Sequence, residues 1–366
     1  MTPDYMAEAL DLARRGLGLA SPNPMVGAVV VRDGEVAGRG FHTWAGVKHA
    51  EVLALDEAGE RARGATMYVT LEPCAHEGRT APCAGALIAA GVARVVAPLE
   101  NPNPLVGGAG FRRLREAGVE VEIDPAHAAA VSRLNEPFLH FMHTGRPLVF
   151  LKAAVTLDGK IAAPEDNQGW ITSTQARLHV QQVRHAADAI VTGIGTVLGD
   201  DCLLTDRTGL ERSRPLLRIV LDSLLRLPVG SQMVRSCRND VLVATTSAAS
   251  PERRKALEAQ GVEVIVCDGA DGRTSLPRLV DHLAGRRCLS LMIEAGSKVN
   301  WAALESGVVD KIFFYYAPKI LGGIHSLPVA GGAGRKRRVD AIRLKDVTLH
   351  RITRDEFAVE AYVIKD

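Results

Sequence analysis

No run of eighteen or more apolar residues occurs in the 366-residue chain, so no membrane-spanning helix is expected. Nor does a basic stretch leading into an apolar one open the sequence at Met1-Thr2-Pro3-Asp4-Tyr5, which argues against a secretory signal. Neither sign of charge dominates: 44 Lys and Arg against 42 Asp and Glu leave +2. Phosphate-backbone affinity needs concentrated basic surface, so no nucleic-acid partner is expected. The basic run Arg335-Lys336-Arg337-Arg338 reads as a solvated loop. Cysteine is scarce, six in all. With no secretion signal these are ligands or core residues in a reducing, cytoplasmic setting, not a disulfide framework. Also missing is a Gly-x-Gly-x-x-Gly that follows a strand and opens a helix, which disfavours a Rossmann fold.

What is present suits two globular domains: the length exceeds one comfortable core, and 47% of residues are hydrophobic against 23% charged. Thr144-Gly145-Arg146-Pro147 breaks a helical stretch before an apolar strand, placing a boundary between domains 1–145 and 146–366. In the first, Asp4 caps a helix with apolar Met6, Ala9, Leu10 and Ala13. Asp33-Gly34 turns strand 25–31 into 35–41. A helix beginning near His49 is expected to turn Val52, Leu53, Leu55 and Ala58 toward the core. Strands at 66–70, 94–97 and 119–123 alternate with helices at 82–90 and 109–117, an α/β layer sandwich. The second domain shows apolar strands at 148–154, 189–192, 216–221, 241–245, 262–266 and 289–293 separated by helical patterns. Strands at 311–316 and 357–363 close it, giving α/β with a largely parallel sheet.

Chemistry concentrates at His49-Ala50-Glu51 and Glu72-Pro73-Cys74…Pro82-Cys83. His49, Cys74 and Cys83 supply three soft ligands, which leaves a tetrahedral Zn2+ one open position for water. Zinc lowers the pKa of that water toward about 7. Glu51, not needed as a ligand, is the candidate catalytic proton carrier. His-x-Glu followed by Pro-Cys and a second Cys is the signature of zinc-dependent deaminases of bases and nucleosides. A closed structural zinc, with His76 or His42 as fourth ligand, is the competing arrangement. Both cysteines are expected near helix N-termini, where the dipole favours thiolate. In the second half the turns at Gly193–Thr196 and Gly296–Lys298 each follow a strand and could cradle phosphate, though such turns are also common connectors.

Eight residues separate the two cysteines, where the usual spacing is two. The stretch Leu71–Cys83, Leu-Glu-Pro-Cys-Ala-His-Glu-Gly-Arg-Thr-Ala-Pro-Cys, resembles the bifunctional riboflavin-biosynthesis deaminase/reductases. Leu151-Lys152-Ala153-Ala154, Thr156–Ala162, Trp170–Ser173, Gly195-Thr196-Val197, Asp200-Asp201, Asp222-Ser223 and Glu294-Ala295-Gly296 are similar to that family's reductase half, so the resemblance covers nearly the whole chain. It implies a cytidine-deaminase-like α/β/α sandwich followed by a dihydrofolate-reductase-like α/β domain. It implies deamination of a diaminopyrimidinone ribosylamine phosphate, then NADPH reduction of the ribosyl group, in a homodimer or homotetramer. In the deaminase half, Asn23, His42, His76, Arg79 and Thr80 are the implied substrate contacts. In the reductase half, NADPH would meet Ala154, Trp170, Thr196, Asp200, Ser223 and the turn Gly296, Ser297, Lys298, Val299, Asn300, Trp301 and Ala302. The sugar phosphate would meet Gln168, Arg184, Leu204, Arg207 and Glu294. Gln168 stands where a small hydroxyl residue is expected. Arg184 and Arg207 suit bidentate phosphate binding, and Lys152 or Asp158 could give the proton that accompanies hydride. For Lys152 a structural ion pair is the alternative. Two other functions remain open: a zinc deaminase of another base or nucleoside joined to an unrelated nucleotide-binding domain, and a regulatory module with structural zinc.

Overall fold

The structure, a computed structural model, describes residues 3–75, 81–102, 107–165 and 168–365. The chain divides into two compact units, Met1–Gly145 with Glu211–Arg214, and Arg146–Leu210 with Pro215–Asp366. Among the described residues no helix is long and apolar enough to cross a membrane.

In unit 1, α1 (Tyr5–Arg14) starts at Asp4, whose carboxylate accepts the Ala7 amide. The strands β1 (Gly27–Arg32) and β2 (Glu35–Phe41) turn at Asp33 and Gly34, with φ of 54° and 82°. There follow α2 (Ala50–Ala58), β3 (Thr66–Val69), α3 (Cys83–Ala89), β4 (Arg94–Ala97), α4 (Ala109–Glu116), β5 (Glu120–Ile123), α5 (Pro125–Leu134) and α6 (Glu136–Thr144). The sheet runs β2-β1-β3-β4-β5, with β1 antiparallel to both neighbours and β3, β4 and β5 parallel. Side chains alternate across it. Ala28 and Val30 pack with Ala54, Leu87 and Phe111, whereas Val29 and Val31 pack with Met6, Ala9 and Leu12. Helices therefore cover both faces. Glu211–Arg214 joins this unit through Ser213, whose amide donates to Gly18 O (2.9 Å) and whose hydroxyl donates to Leu19 O (2.6 Å).

The buried stripe of α2 differs from the expected one. Ala50, Glu51, Ala54 and Ala58 are buried, and Val52, Leu53 and Leu55 are only partly so. Glycines on β2 explain it: a Cβ on Gly38 or Gly40 would lie 2.1 Å from Ala54 O or Ala50 O. The helix rests backbone against strand, and only alanine fits between them. Gly27 does the same for α1, its Cβ position 2.0 Å from Ala9 O.

Unit 2 comprises β6 (Leu148–Thr156), β7 (Lys160–Ala162), α7 (Thr174–Ala186), β8 (Ala189–Gly193), α8 (Ile194–Asp200), β9 (Leu217–Leu221), α9 (Gln232–Arg235), β10 (Val241–Thr245), α10 (Pro251–Glu258) and β11 (Glu263–Val266). It continues through α11 (Leu276–Gly285), β12 (Ser290–Ile293), α12 (Ser297–Glu305), β13 (Lys311–Ala317), β14 (Leu327–Pro328), β15 (Leu344–Arg351) and β16 (Phe357–Val363). The nine-stranded order is β11-β10-β9-β8-β12-β6-β13-β16-β15, parallel through β13 and antiparallel for the last two. Every residue of β9 and β10 is buried, as in a parallel sheet covered on both faces. The sequence pattern missed β15 and the β7–β14 ribbon. Seven of the eight β15 residues are exposed, so this edge strand buries no face whose apolar run would reveal it.

Candidate active sites

Three local structures assemble the first site. His49 is the N-cap of α2, in extended conformation, and Glu51 lies in that helix's first turn. The two side chains, which would diverge mid-helix, thus meet at its open end. Cys83 begins α3 behind Pro82. Cys74 lies in the loop after β3 and reaches a helix N-terminus in space, not in sequence. Its Sγ accepts the Cys83 amide at 3.3 Å and its carbonyl accepts the Ala84 amide at 3.1 Å, so both thiols share the α3 N-terminus.

The ligand atoms of His49, Cys74 and Cys83 lie within 4.8 Å of one another. His49 Nδ1 is 3.2 Å from Cys83 Sγ and 3.6 Å from Cys74 Sγ. Tetrahedral zinc holds nitrogen and sulfur about 3.6 Å apart, so the cluster fits zinc with small adjustments. Hydrogen bonding from the Cys83 thiol, against burial and helped by His49, pulls the Cys74 thiol down to about 4. The same bond and burial push Cys83 up, and a metal held there would have to displace its proton. Glu51 is 4% exposed, and burial raises its carboxyl.

Beside this cluster the His42 ring meets that of His49 edge-on, centroids 5.1 Å apart. His42 Nε2 meets Asn23 Nδ2 at 2.9 Å while its Nδ1 faces Lys48 O at 3.2 Å, a carbonyl that can only accept, so Nδ1 carries a proton. His42 is thus turned to Asn23 and not into the ligand cluster. His76, Arg79 and Thr80 lie outside the described residues. Sequence reasoning missed two supporting residues. Asn135, 2% exposed, bonds both backbone groups of Met25 and so fixes the segment after Asn23. Glu72 accepts four backbone amides; its only signal was its place one residue before Pro73-Cys74.

In unit 2, Glu294 and the two glycine turns follow the carboxyl ends of β8 and β12, where open α/β sheets bind ligands, and Lys152 lies within β6 beside them. The register pairs Ile293 with Leu151, so the next residues, Glu294 and Lys152, meet: Nζ donates to Oε1 at 3.0 Å. Arg184, on the last turn of α7, donates to Glu294 Oε2 through Nε (3.0 Å) and Nη2 (2.8 Å), and to Thr205 O through Nη1 (3.2 Å). Burial works to raise Glu294, but the charges of Lys152 and Arg184 outweigh it and hold the carboxyl at about 2. Lys152 is therefore ion-paired. Arg184 turns its fork to Glu294, not outward to a phosphate. Leu204 is buried at φ 52°, and Arg207 is exposed with its amide on Gln181.

The glycine turns approach each other. A Cβ on Gly193 would come 2.9 Å from Val299, and one on Gly296 lies 4.0 Å from the Thr196 hydroxyl. Gly195 has no heavy atom within 4 Å of its Cβ position. Two glycine turns at the ends of adjacent strands, with open space beside them, fit a dinucleotide. Within Gly296–Ala302, the run expected to meet the cofactor, some side chains turn to other partners. Ser297 donates to Pro328 O (2.5 Å) and Asn300 to Val329 O (2.7 Å), and Arg335 lies over the Trp301 ring. Lys298 and Ala302 are exposed, Val299 partly so. Ser223 accepts the Thr274 amide at 3.2 Å, Ala154 pairs with Tyr315 in the sheet, and Asp200 is exposed at the end of α8. Gln168 and Trp170 are both exposed; Arg177 stacks on the Trp170 ring at 4.8 Å. Asp158 is exposed and accepts from the Thr156 hydroxyl and the Leu321 and Gly322 amides, which hold it at about 2.

A partly buried His-Cys-Cys cluster with an adjoining buried carboxylate, followed by a parallel sheet with glycine turns and a Lys–Glu–Arg network, defines a zinc-dependent deaminase fused to a nucleotide-dependent reductase. Residues 2–99 match the cytidine and deoxycytidylate deaminase zinc-binding region, and residues 147–356 match the RibD C-terminal domain. The chain is 41% identical to riboflavin biosynthesis protein RibD of Escherichia coli over 94% of this chain and 98% of that one. It is equally identical to RibD of Actinobacillus pleuropneumoniae, over 93% and 90%. Among solved structures, Acinetobacter baumannii RibD superposes with a TM-score of 0.87 at 37% identity, covering 99% of this chain and 98% of that one. The Thermotoga maritima diaminohydroxyphosphoribosylaminopyrimidine deaminase/5-amino-6-(5-phosphoribosylamino)uracil reductase does so at 0.82 and 34%, covering 98% of each. The chain belongs to the RibD family. It is a bifunctional deaminase and reductase of riboflavin biosynthesis that uses zinc and NADPH. A base deaminase with an unrelated partner domain and a non-catalytic zinc module are not favoured.

Proposed function

We propose that unit 1 deaminates 2,5-diamino-6-(5-phosphoribosylamino)pyrimidin-4(3H)-one, and that unit 2 reduces the ribosyl group of the resulting 5-amino-6-(5-phosphoribosylamino)uracil to ribityl. The observation that carries the first step is Glu51, a buried carboxylate beside His49 and Cys83 with no Lys or Arg partner among the described residues. A purely structural metal site has no use for it. His49, Cys74 and Cys83 hold the zinc, which when bound makes water acidic enough to attack at neutral pH. Glu51 takes a proton from the attacking water and returns one to the departing amine. Asn23 and His42, bonded to each other, are assigned to the substrate, and the family resemblance assigns it His76 and Arg79 as well.

In unit 2, bound NADPH supplies hydride, and the chain supplies orientation and a proton. We assign the proton to Lys152, a buried cation held by Glu294. Asp158, anionic and bonded to the 321–322 backbone, anchors that loop instead. Arg207, with its exposed guanidinium, is the phosphate ligand, while Arg184 fixes Glu294 and the Leu204–Arg207 loop. Thr196, Ser223, Gly296 and Lys298 line the cofactor side, with Ala154, Trp170 and Asp200 at its margins. We further propose a cytoplasmic homodimer or homotetramer: the edge strand β15 exposes Val347 (60%) and Leu349 (68%), apolar surface that a second copy would cover. Sedimentation of the purified chain as a monomer would refute that assembly.

The zinc-loaded protein, incubated with the diaminopyrimidinone, should release ammonia without NADPH, and NADPH absorbance should fall only after deamination. Absence of ammonia would overturn the assignment of unit 1.

A further inference from the structure

We propose that Glu72 is a positioning residue for the zinc ligand Cys74, locking the segment Glu72-Pro73-Cys74 onto the N-terminus of α4. Glu72 is 4% exposed. Its Oε2 accepts the amides of Asn101 (2.7 Å) and Gly108 (2.9 Å), and its Oε1 those of Gly110 (2.8 Å) and Phe111 (3.1 Å). A carboxylate has about four acceptor sites, and all four are used. Three of those amides belong to the start of α4, whose N-cap residue is Gly108 and so offers no side chain to its own helix. The helix start is thus capped by an anion from a distant segment, which also suits the positive end of its dipole.

The segment between this anion and the ligand is stiff. Pro73 fixes φ, the Glu72 amide donates to Leu99 O at 2.9 Å, and the Pro73 carbonyl packs directly on Gly110. A Cβ on Gly110 would lie 1.9 Å from that carbonyl oxygen, so only glycine lets the two backbones close. From its other side Cys74 is held by the α3 N-terminus, through the Cys83 and Ala84 amides. The first ligating sulfur therefore sits between two helix starts, one reached through Glu72. Outer groups that orient a ligand typically set 10- to 100-fold in metal affinity. Here the orienting group is a carboxylate acting through backbone amides, two residues upstream of the ligand.

This inference rests on Cys74 being a zinc ligand, and the experiment separates the two. In Glu72→Gln, whichever way the amide turns, its NH2 faces two backbone donors and two of the four bonds are lost. Zinc release from the full chain to a chromogenic chelator should accelerate about 10- to 100-fold. The visible absorption of the cobalt-substituted protein should shift as the sulfur moves, while NADPH oxidation with the deaminated substrate stays unchanged. Glu72→Asp, which keeps the anion but is one methylene short, should fall between wild type and Glu72→Gln. Gly110→Ala, which displaces Pro73 without touching the carboxylate, should also speed release. This last variant keeps the inference testable should Glu72→Gln fail to fold. A wild-type chain that holds no zinc would sink the ligand assignment and this inference together. Zinc held normally by wild type, with release and cobalt spectrum unaltered in Glu72→Gln or Gly110→Ala, would sink this inference alone.

Discussion

Replacing Glu294 by Gln removes the one anion that sits between Lys152 and Arg184 while keeping the side-chain shape. The folded chain holds this carboxyl at about 2, against 4.5 ordinarily. At 1.36 kcal/mol per pH unit, that difference amounts to about 3 kcal/mol of preference for the anion in the folded state. The Gln variant forfeits that much and leaves two cations, 9% and 8% exposed, facing each other without a counter-charge. Urea unfolding of unit 2 at pH 7 should therefore show a loss of about 3 kcal/mol. NADPH oxidation should drop sharply because Lys152 no longer keeps its position, held in wild type by Glu294 at 3.0 Å. Ammonia release from unit 1 is the internal control and should not change. The pH dependence has a definite sign. A depressed carboxyl stabilises fully above about 4.5 and loses that stabilisation as pH falls toward 2. Wild type should thus weaken across that window more steeply than the variant. Adding Lys152→Met to Glu294→Gln should recover part of the lost stability, because the two residues touch and their effects are not additive. An unfolding free energy within about 0.5 kcal/mol of wild type, together with unchanged NADPH turnover, would refute the reasoning.

Glu51→Gln should keep its zinc, measured by metal analysis, yet lose ammonia release by about 10²- to 10⁴-fold; deamination at the wild-type rate would remove Glu51 from the mechanism. Chelating the zinc should abolish ammonia release and spare NADPH oxidation when the deaminated substrate is supplied directly. Gly40→Ala should destabilise unit 1 by about 1–3 kcal/mol or more, read by denaturant unfolding. Its new Cβ would lie 2.1 Å from Ala50 O, and relief requires moving α2 together with His49, so zinc content should fall as well.

Local patterns were enough for much of this molecule. That His49, Cys74 and Cys83 would come together was legible because metal chemistry restricts residue type, and Glu51 beside them pointed to a reaction. Parallel strands announced themselves as short apolar runs, since both faces of such a sheet are buried. The glycine turns at Gly193 and Gly296 followed strands, as phosphate cradles do. Other features have no local signature. The alanine stripe of α2 is buried only because Gly38 and Gly40 lie on a neighbouring strand, and β15 exposes both its faces.

The sequence by itself therefore determined which atoms could bind zinc, which strands would be central, and which family the chain resembles. These follow from residue type and from periodicity along the chain. Only the tertiary structure decided that Lys152 and Arg184 share Glu294, that Cys74 borrows the amide of Cys83, and that Glu72 closes onto α4. Each of these contacts joins residues 9 to 142 positions apart. A hydrogen bond or ion pair depends on distance and direction in space, and neither is fixed until the sheet register and the helix packing are set.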